Sequence, residues 1–145
     1  MKLSTKGRYG VRLMLDLAMN FDKGPVYLKD IAKRQEISEK YLWQLISVLK
    51  NAGLVNSERG AKGGYFLARH PGKITLRDIV PLLEGDLCLV DCINNPLSCK
   101  KVDTCVARDV WKQVSDVLLN KLESFTLENL VEKQKNKSGN LNYVI

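Results

Sequence analysis

The 145-residue chain is long enough for one compact domain with an extension, or for two small units, and no uninterrupted apolar run in it would cross a bilayer. Its formal net charge of +7 is unevenly placed: residues 1–80 carry 15 Lys and Arg against 7 Asp and Glu, and residues 81–145 carry 8 against 9. That asymmetry suits a nucleic-acid-binding half joined to a neutral half with another task, with a well-solvated basic surface as the plainer alternative.

The start, MKLSTKGRYG, has neither a long apolar core nor a small-residue cleavage site. A secretory signal is therefore not expected, and a cytoplasmic protein with reduced thiols and no membrane partner is. Residues 6–21 place Tyr9, Val11, Met14, Leu15, Leu17 and Ala18 largely three or four apart, the spacing of an amphipathic helix, which Gly24-Pro25 closes. Val26 and Tyr27 form a short extended link. Residues 28–35 predict a short helix with Leu28, Ile31 and Ala32 inward and Lys29, Lys33 and Arg34 outward. A tight turn at Glu36-Ile37-Ser38 leads into a helix over 39–51, with Ser38 as N-cap, Leu42, Leu45, Ile46 and Leu49 inward, and Gly53 just past the end. Two short helices around a tight turn make a helix-turn-helix candidate. Strands over 54–57 and 65–68, joined by a turn over 59–64, follow as a β-hairpin. Helix, helix-turn-helix, hairpin is the winged-helix order.

After Pro71-Gly72, Thr75 is placed to cap a further helix and Asp78 to complete a capping box. That helix carries Ile79, Val80, Leu82 and Leu83, ends by Gly85, and has Pro81 as a kink point. Residues 105–125 give the longest periodic run, with Val106, Val110, Trp111, Val114, Val117, Leu118, Leu122 and Phe125. One helix projecting from a small domain cannot bury so broad a stripe. A twin helix from a second subunit would bury it, with Val110, Val114, Val117 and Leu118 in the interface of a homodimer. Thr126 caps a last short helix with Leu127, Leu130 and Val131, and the polar residues 133–145 read as frayed. The expected division is a winged helix-turn-helix domain over 1–84, a cysteine-rich sensor loop over 85–104, a dimerisation helix over 105–125, and a short helix with a tail over 126–145. The fold class is mainly α with a small β-hairpin wing.

All four cysteines, Cys88, Cys92, Cys99 and Cys105, fall in one 18-residue window that contains the turn residues Asn94, Asn95, Pro96 and Ser98. Core cysteines are usually scattered, each filling its own small gap. Thiols gathered on an irregular loop can converge on one ion or cluster, and zinc and iron–sulfur centres both favour thiolates. The spacers of three, six and five residues are not the two close pairs of a zinc ribbon. A sensor working by thiol oxidation alone is the other reading of these residues. An enzyme is not expected: the one histidine, His70, has no nucleophile pattern beside it, and the glycines 60, 63 and 64 lie in a hairpin, not at a helix start.

A recognition helix enters the major groove through its first turns, which here offer Ser38, Lys40, Tyr41, Trp43 and Gln44. Gln can make a bidentate contact to adenine, and Ser or Lys can reach phosphates or base edges. Arg59 and Lys62 occupy the hairpin tip, where an arginine can enter a narrow minor groove. Some winged helices bind proteins instead, with Tyr41 and Trp43 then serving as core.

The stretches LSTKGRYGVRLMLDLA, ISEKYLWQL, RGAKGGYFL and CVARDVW resemble IscR-type regulators, and the resemblance spans about residues 2–131. It implies a winged-helix transcription factor that dimerises through a long helix and, in many members, carries an iron–sulfur cluster. Cys92, Cys99 and Cys105 match the ligand positions of the cluster-binding branch, which implies a 2Fe–2S centre, with 4Fe–4S as the alternative. Arg59 matches the wing arginine of the minor groove, and Ser38, Lys40, Tyr41 and Gln44 match recognition-helix contacts. Three departures stand out. Arg108 occupies the place of the IscR ligand histidine, Arg8 that of an acidic ligand some relatives use, and Trp43 that of a glutamate that tunes site choice. Arginine has no lone pair to give. Cys88 is the chemically natural fourth ligand, against Glu84, a small thiol or a group from the partner subunit.

The expected function is a transcription regulator whose binding to a roughly palindromic double-stranded DNA operator is controlled by an iron–sulfur cluster. The alternatives are the same fold sensing thiol redox state or a sulfur metabolite, and a zinc-stabilised winged-helix protein-interaction module.

Overall fold

The computed structural model describes residues 2–143. Six helices and one hairpin follow one another in the winged-helix order: α1 (Thr5–Met19), α2 (Leu28–Gln35), α3 (Glu39–Asn51), β1 (Val55–Glu58), β2 (Gly64–Leu67), α4 (Leu76–Glu84), α5 (Val106–Glu123) and α6 (Leu127–Tyr143).

The starts and stops have local causes. Ser4, Ser38 and Thr75 each turn a side-chain oxygen onto a free N–H of the first turn of α1, α3 and α4. Thr75 and Asp78 form the full reciprocal box. α2 stops where Glu36 takes a left-handed conformation, φ 55°. α1 ends two residues earlier than its periodicity predicts, because the Asn20 side chain donates to the Asp16 carbonyl at 2.9 Å and the chain turns. α4 runs through Pro81 to Glu84 and is closed by Gly85 at φ 87°.

The hairpin pairs Val55 with Leu67 and Glu58 with Gly64, antiparallel. Both strands lie one residue from their expected bounds: the Leu54 N–H is taken by Leu49 O at 3.0 Å at the end of α3, and β2 begins at Gly64, opposite Glu58. Val26 adds a bridge on the outer side, exchanging two 2.8 Å bonds with Tyr65. Gly64 is required there: at φ 146°, a Cβ would stand 2.5 Å from the Val26 carbonyl oxygen.

The core lies between α1, α3, α4 and the hairpin. Leu13 and Met14 of α1, Ile31, Leu42, Leu49, Val55, Ile74 and Ile79 are all completely buried. Among the described residues, one charged side chain is buried with them. Asp16, 4% exposed, accepts from Arg34 Nη2 at 2.7 Å and Nε at 3.0 Å, and from Gln35 Nε2 at 3.0 Å. Arg34 is exposed, as expected, but its guanidinium also ties α2 to α1, and the hydrogen bond to the Asp16 carboxylate raises its already high pKa.

The C-terminal segment departs from expectation. α6 continues to Tyr143, where a short helix and a frayed tail over 133–145 were expected; residues 144 and 145 lie outside the described residues. Its first turn carries apolar anchors: Leu127 is fully buried in the core, and Leu130 and Val131 pack against it. Beyond Val131 come Glu132, Lys133, Gln134 and Lys135, exposed residues that suit a helix but carry no apolar period. Two 2.9 Å bonds, Leu76 N–H to Phe125 O and Leu127 N–H to Ile74 O, stitch the start of α6 to the start of α4. The C-terminal helix therefore shares the core of the N-terminal unit.

Candidate nucleic-acid interface and cysteine segment

The exposed side of α3 presents what a groove-reading helix needs. Ser38, Lys40, Trp43 and Gln44 are all solvent-exposed, and Trp43, at 60%, is no core residue. Ser38 Oγ accepts the Tyr41 N–H at 3.1 Å as the cap and keeps its own proton to donate. Tyr41 stands apart from this group. It is half-buried, its hydroxyl meets Thr5 Oγ1 at 3.0 Å, and its ring stacks edge-on against Tyr9 with centroids 5.9 Å apart. Its side chain braces α3 against α1. Arg59 and Lys62 sit exposed in the turn between β1 and β2, which the Tyr27 hydroxyl anchors by donating to Ala61 O. Among the described residues, Lys40, Arg59 and Lys62 make no ion pair, so their charge is available to a phosphate backbone.

The segment between α4 and α5 is irregular, with single turns at Asp91–Ile93 and Pro96–Ser98. Its first half is fastened to α5. Leu89 N–H donates to Ser115 Oγ at 3.2 Å, and Arg108 Nε donates to the Cys92 carbonyl at 3.3 Å. Ser115, 2% exposed, is the one buried residue of α5, and its hydroxyl is also tied to Trp111 O. Asp86 folds the turn by accepting from Cys88 N–H at 2.9 Å and from the Asn94 amide. These hydrogen bonds hold its carboxyl below the usual carboxylate range. Periodicity cannot reveal such anchors, since a polar residue such as Ser115 on an apolar stripe reads as a gap.

The four thiols are free; Cys88, Cys92 and Cys105 are half-buried and Cys99 is exposed. Cys105 is the residue before α5. Among the described residues, no three His, Cys, Asp or Glu side chains form a group that could hold a metal ion, so the arrangement does not gather Cys92, Cys99 and Cys105, with or without Cys88. Burial and then the Asp86 carboxylate push the Cys88 thiol up from its ordinary pKa. Glu84 is committed elsewhere: one oxygen, Oε1, accepts from Ser4 N–H at 2.8 Å, Ser4 Oγ at 2.7 Å and Gly7 N–H at 3.0 Å, capping α1. His70 accepts the Gly72 N–H on Nδ1 at 3.0 Å and stacks on Phe21, a structural post beside α6.

On α5, Val110, Val114 and Val117 are exposed, with Val117 at 67%. Leu118 and Leu122 lie on the adjacent face, half-buried, and line a cavity with Val80 of α4. Of the four residues expected at a dimer interface, Val110, Val114 and Val117 are exposed and Leu118 is half-buried beside Val80 and Leu122.

A winged helix-turn-helix with a basic recognition face, a cysteine segment and a projecting apolar helix defines the class of protein. Comparison with known proteins gives the group. Residues 3–133 match the family described as Rrf2, iron-dependent transcriptional regulator. The HTH-type transcriptional regulator CymR of Bacillus subtilis (strain 168) is 45% identical over 130 residues, covering 90% of this chain and 89% of its own. The solved structure described as CymR (YrzC), the global cysteine regulator of B. subtilis, superposes with TM-score 0.76 at 42% identity, over 92% of this chain and 98% of that one. That of T. potens IscR superposes with TM-score 0.77 at 47% identity, over 92% and 88%. The chain belongs to the Rrf2 family of winged-helix transcriptional regulators, and its relatives are regulators rather than enzymes. Among the described residues, no helix is long and apolar enough to cross a membrane.

The thiols should not react alike. At neutral pH Cys88 should be alkylated more slowly than Cys99, and the gap should narrow as pH rises, because a raised pKa keeps the thiol protonated until the solution passes it. Time-resolved alkylation followed by peptide mass analysis measures this order; a Cys88 that reacts as fast as Cys99 at pH 7 contradicts the local environment described.

Proposed function

We propose that the protein works in the cytoplasm, binds operator DNA as a homodimer, and has its operator affinity set at the cysteine segment by an iron–sulfur cluster. The observation that carries this reading is the placement of four free thiols in the segment that leads into a helix exposing Val106, Val110, Trp111, Val114 and Val117. The donor chemistry suits such a cluster, since soft thiolates are its usual ligands. Cys92, Cys99 and Cys105 would hold it, and when bound it supplies a centre whose presence depends on iron, sulfide and oxidant. The protein's own part is mechanical. Ser115 and Arg108 fasten the segment to α5, Glu84 fastens its root to α1, and Cys105 lies at the foot of α5. A ligand that favours one arrangement of this segment must favour the spacing of the two recognition helices that goes with it.

DNA contact falls to Ser38, Lys40 and Gln44 in the major groove and to Arg59 with Lys62 at the wing, with Tyr41 as the brace. Family membership favours this reading over a zinc-stabilised protein-interaction module. A second reading, in which thiol oxidation or a sulfur metabolite is the signal, has specific support. Arg108 is engaged with the Cys92 carbonyl where IscR has its ligand histidine, the thiols are not gathered, and a related structure is described as a cysteine regulator.

Anaerobic purification with visible spectroscopy and iron and sulfide analysis decides between them. Coloured protein whose chromophore is lost in Cys92→Ala, Cys99→Ala and Cys105→Ala supports the cluster. Colourless protein whose operator affinity changes on thiol oxidation supports the second reading.

At fixed salt, Arg59→Ala should weaken specific binding by about 1–3 kcal/mol. Gln44→Ala should relax sequence preference more than it lowers non-specific affinity, because a base-edge contact carries the information. Unchanged isotherms and selectivity in both variants would sink this interface. Val114→Asp would place an unpaired charge in the dimer seam at a cost of about 3–5 kcal/mol. Sedimentation should show monomers and operator binding should be lost; a variant that still sediments as a dimer removes α5 from the interface.

A further inference from the structure

A cavity of about 360 Å³ opens between the N-terminal residues, α4, the start of the cysteine segment and α5. Leu3, Val80, Leu87, Leu89, Leu118 and Leu122 wall it, the Cys88 thiol borders it between Leu87 and Leu89, and Lys2, Glu84 and Asp86 are its charged lining groups. Their charges are not equally free. Asp86 has both oxygens occupied within its own turn. Glu84 uses Oε1 for the α1 cap, while its Oε2 has no hydrogen-bond partner among the described residues. Lys2 is exposed and makes no ion pair among the described residues. One open carboxylate oxygen and one open ammonium thus border an apolar chamber. A lone anion would meet the two carboxylates, and a lone cation would leave Lys2 unmatched. A zwitterion with an apolar body matches all three features, and the volume suits a small molecule.

We propose that this cavity binds a small zwitterion of the class of an aliphatic or thioether α-amino acid, and that its occupancy is transmitted to α3 through Glu84. The ligand's ammonium meets Glu84, its carboxylate meets Lys2, and its side chain lies among Leu87, Leu89 and Leu118. Glu84 touches the first turn of α1, where Thr5 meets the Tyr41 hydroxyl at 3.0 Å on the first turn of α3. A shift of Glu84 therefore bears on the recognition helix within two contacts. Val110, Val114 and Val117 are exposed and are not among the residues that line the cavity. The transmission half rests on reading α3 as the DNA-contacting helix; the binding half does not.

The test uses the full chain, reduced and anaerobic, with L-norleucine as probe and two half-probes, n-hexanoate and n-pentylamine, in titration calorimetry and operator-binding assays. The expected result is saturable norleucine binding, weakened by about tenfold or more in Lys2→Met and in the cavity-filling Leu87→Trp, with neither half-probe competing at equal concentration. Norleucine should also change operator affinity in the native protein. It should do so less in Tyr41→Phe, which keeps every cavity residue and norleucine binding, removes the hydroxyl that meets Thr5, and has its fold checked by its melting temperature. Absence of norleucine binding, binding untouched by Leu87→Trp, or a half-probe that binds as well as norleucine overturns the assignment. Norleucine binding that leaves operator affinity unchanged overturns the transmission. Norleucine binding by a protein with no operator affinity overturns the regulator reading instead, and operator binding without norleucine binding overturns the cavity alone.

Discussion

The contact between α1 and α4 sets the geometry on which the other parts depend. Gly7 and Gly10 leave α1 without side chains on the side that faces α4: a Cβ at Gly7 would overlap Glu84, and one at Gly10 would overlap Leu83. The two helices can therefore approach closely enough for the Glu84 carboxylate to reach the free N–H groups at the start of α1. That is a favourable place for an anion, because unpaired donors and the positive end of the helix dipole coincide there. α4 cannot slide along α1 without breaking these bonds, and α3 is held to the same turn of α1 through Tyr41. The root of the cysteine segment and the DNA-facing helix are thus registered to one another by a single helical turn.

Most of the architecture was legible because it is written in local rules. Ser38 and Gly53 bracket α3, Thr75 and Asp78 start α4, and the change from helical to alternating period marks the hairpin; such signals act over a few residues and survive without tertiary information. What escaped is what tertiary contacts decide. Asp16 and Arg34 are 18 positions apart, on faces of different helices, and only the packing of α1 on α2 makes them a pair. α6 outran its expected length because its polar residues carry no apolar period, while the burial of Leu127 could not be told from that of any other leucine.

The candidate site was legible in the same uneven way. Lys40, Gln44, Arg59 and Lys62 follow from position in a winged helix, and all are exposed. Tyr41 was grouped with them by its place in the first turns and by the family resemblance; the structure adds that its hydroxyl also meets Thr5 Oγ1, a contact across two helices that position alone does not reveal. The cysteines were found by clustering in sequence, a signal about reach along the chain. Whether side chains on a loop converge depends on turn conformation and on anchors such as Ser115 and Arg108, and neither has a periodic signature.

The paired hydrogen bonds that join residues 74 and 76 to residues 125 and 127 close the chain on itself. Residues 76–125 become a closed loop that begins with α4 in the core, runs out through the thiols and α5, and returns to its starting point. A loop clamped at its base behaves as a lever rather than as a tether: force applied to α5 arrives at the clamp as torque, not as slack taken up by a linker. The clamp is held by Leu127 in the core and by Ile74 beside it, both completely buried. Severing the chain after α5 would empty the seat of Leu127 in the domain's interior, so in this protein α5 and the winged-helix unit share one foundation.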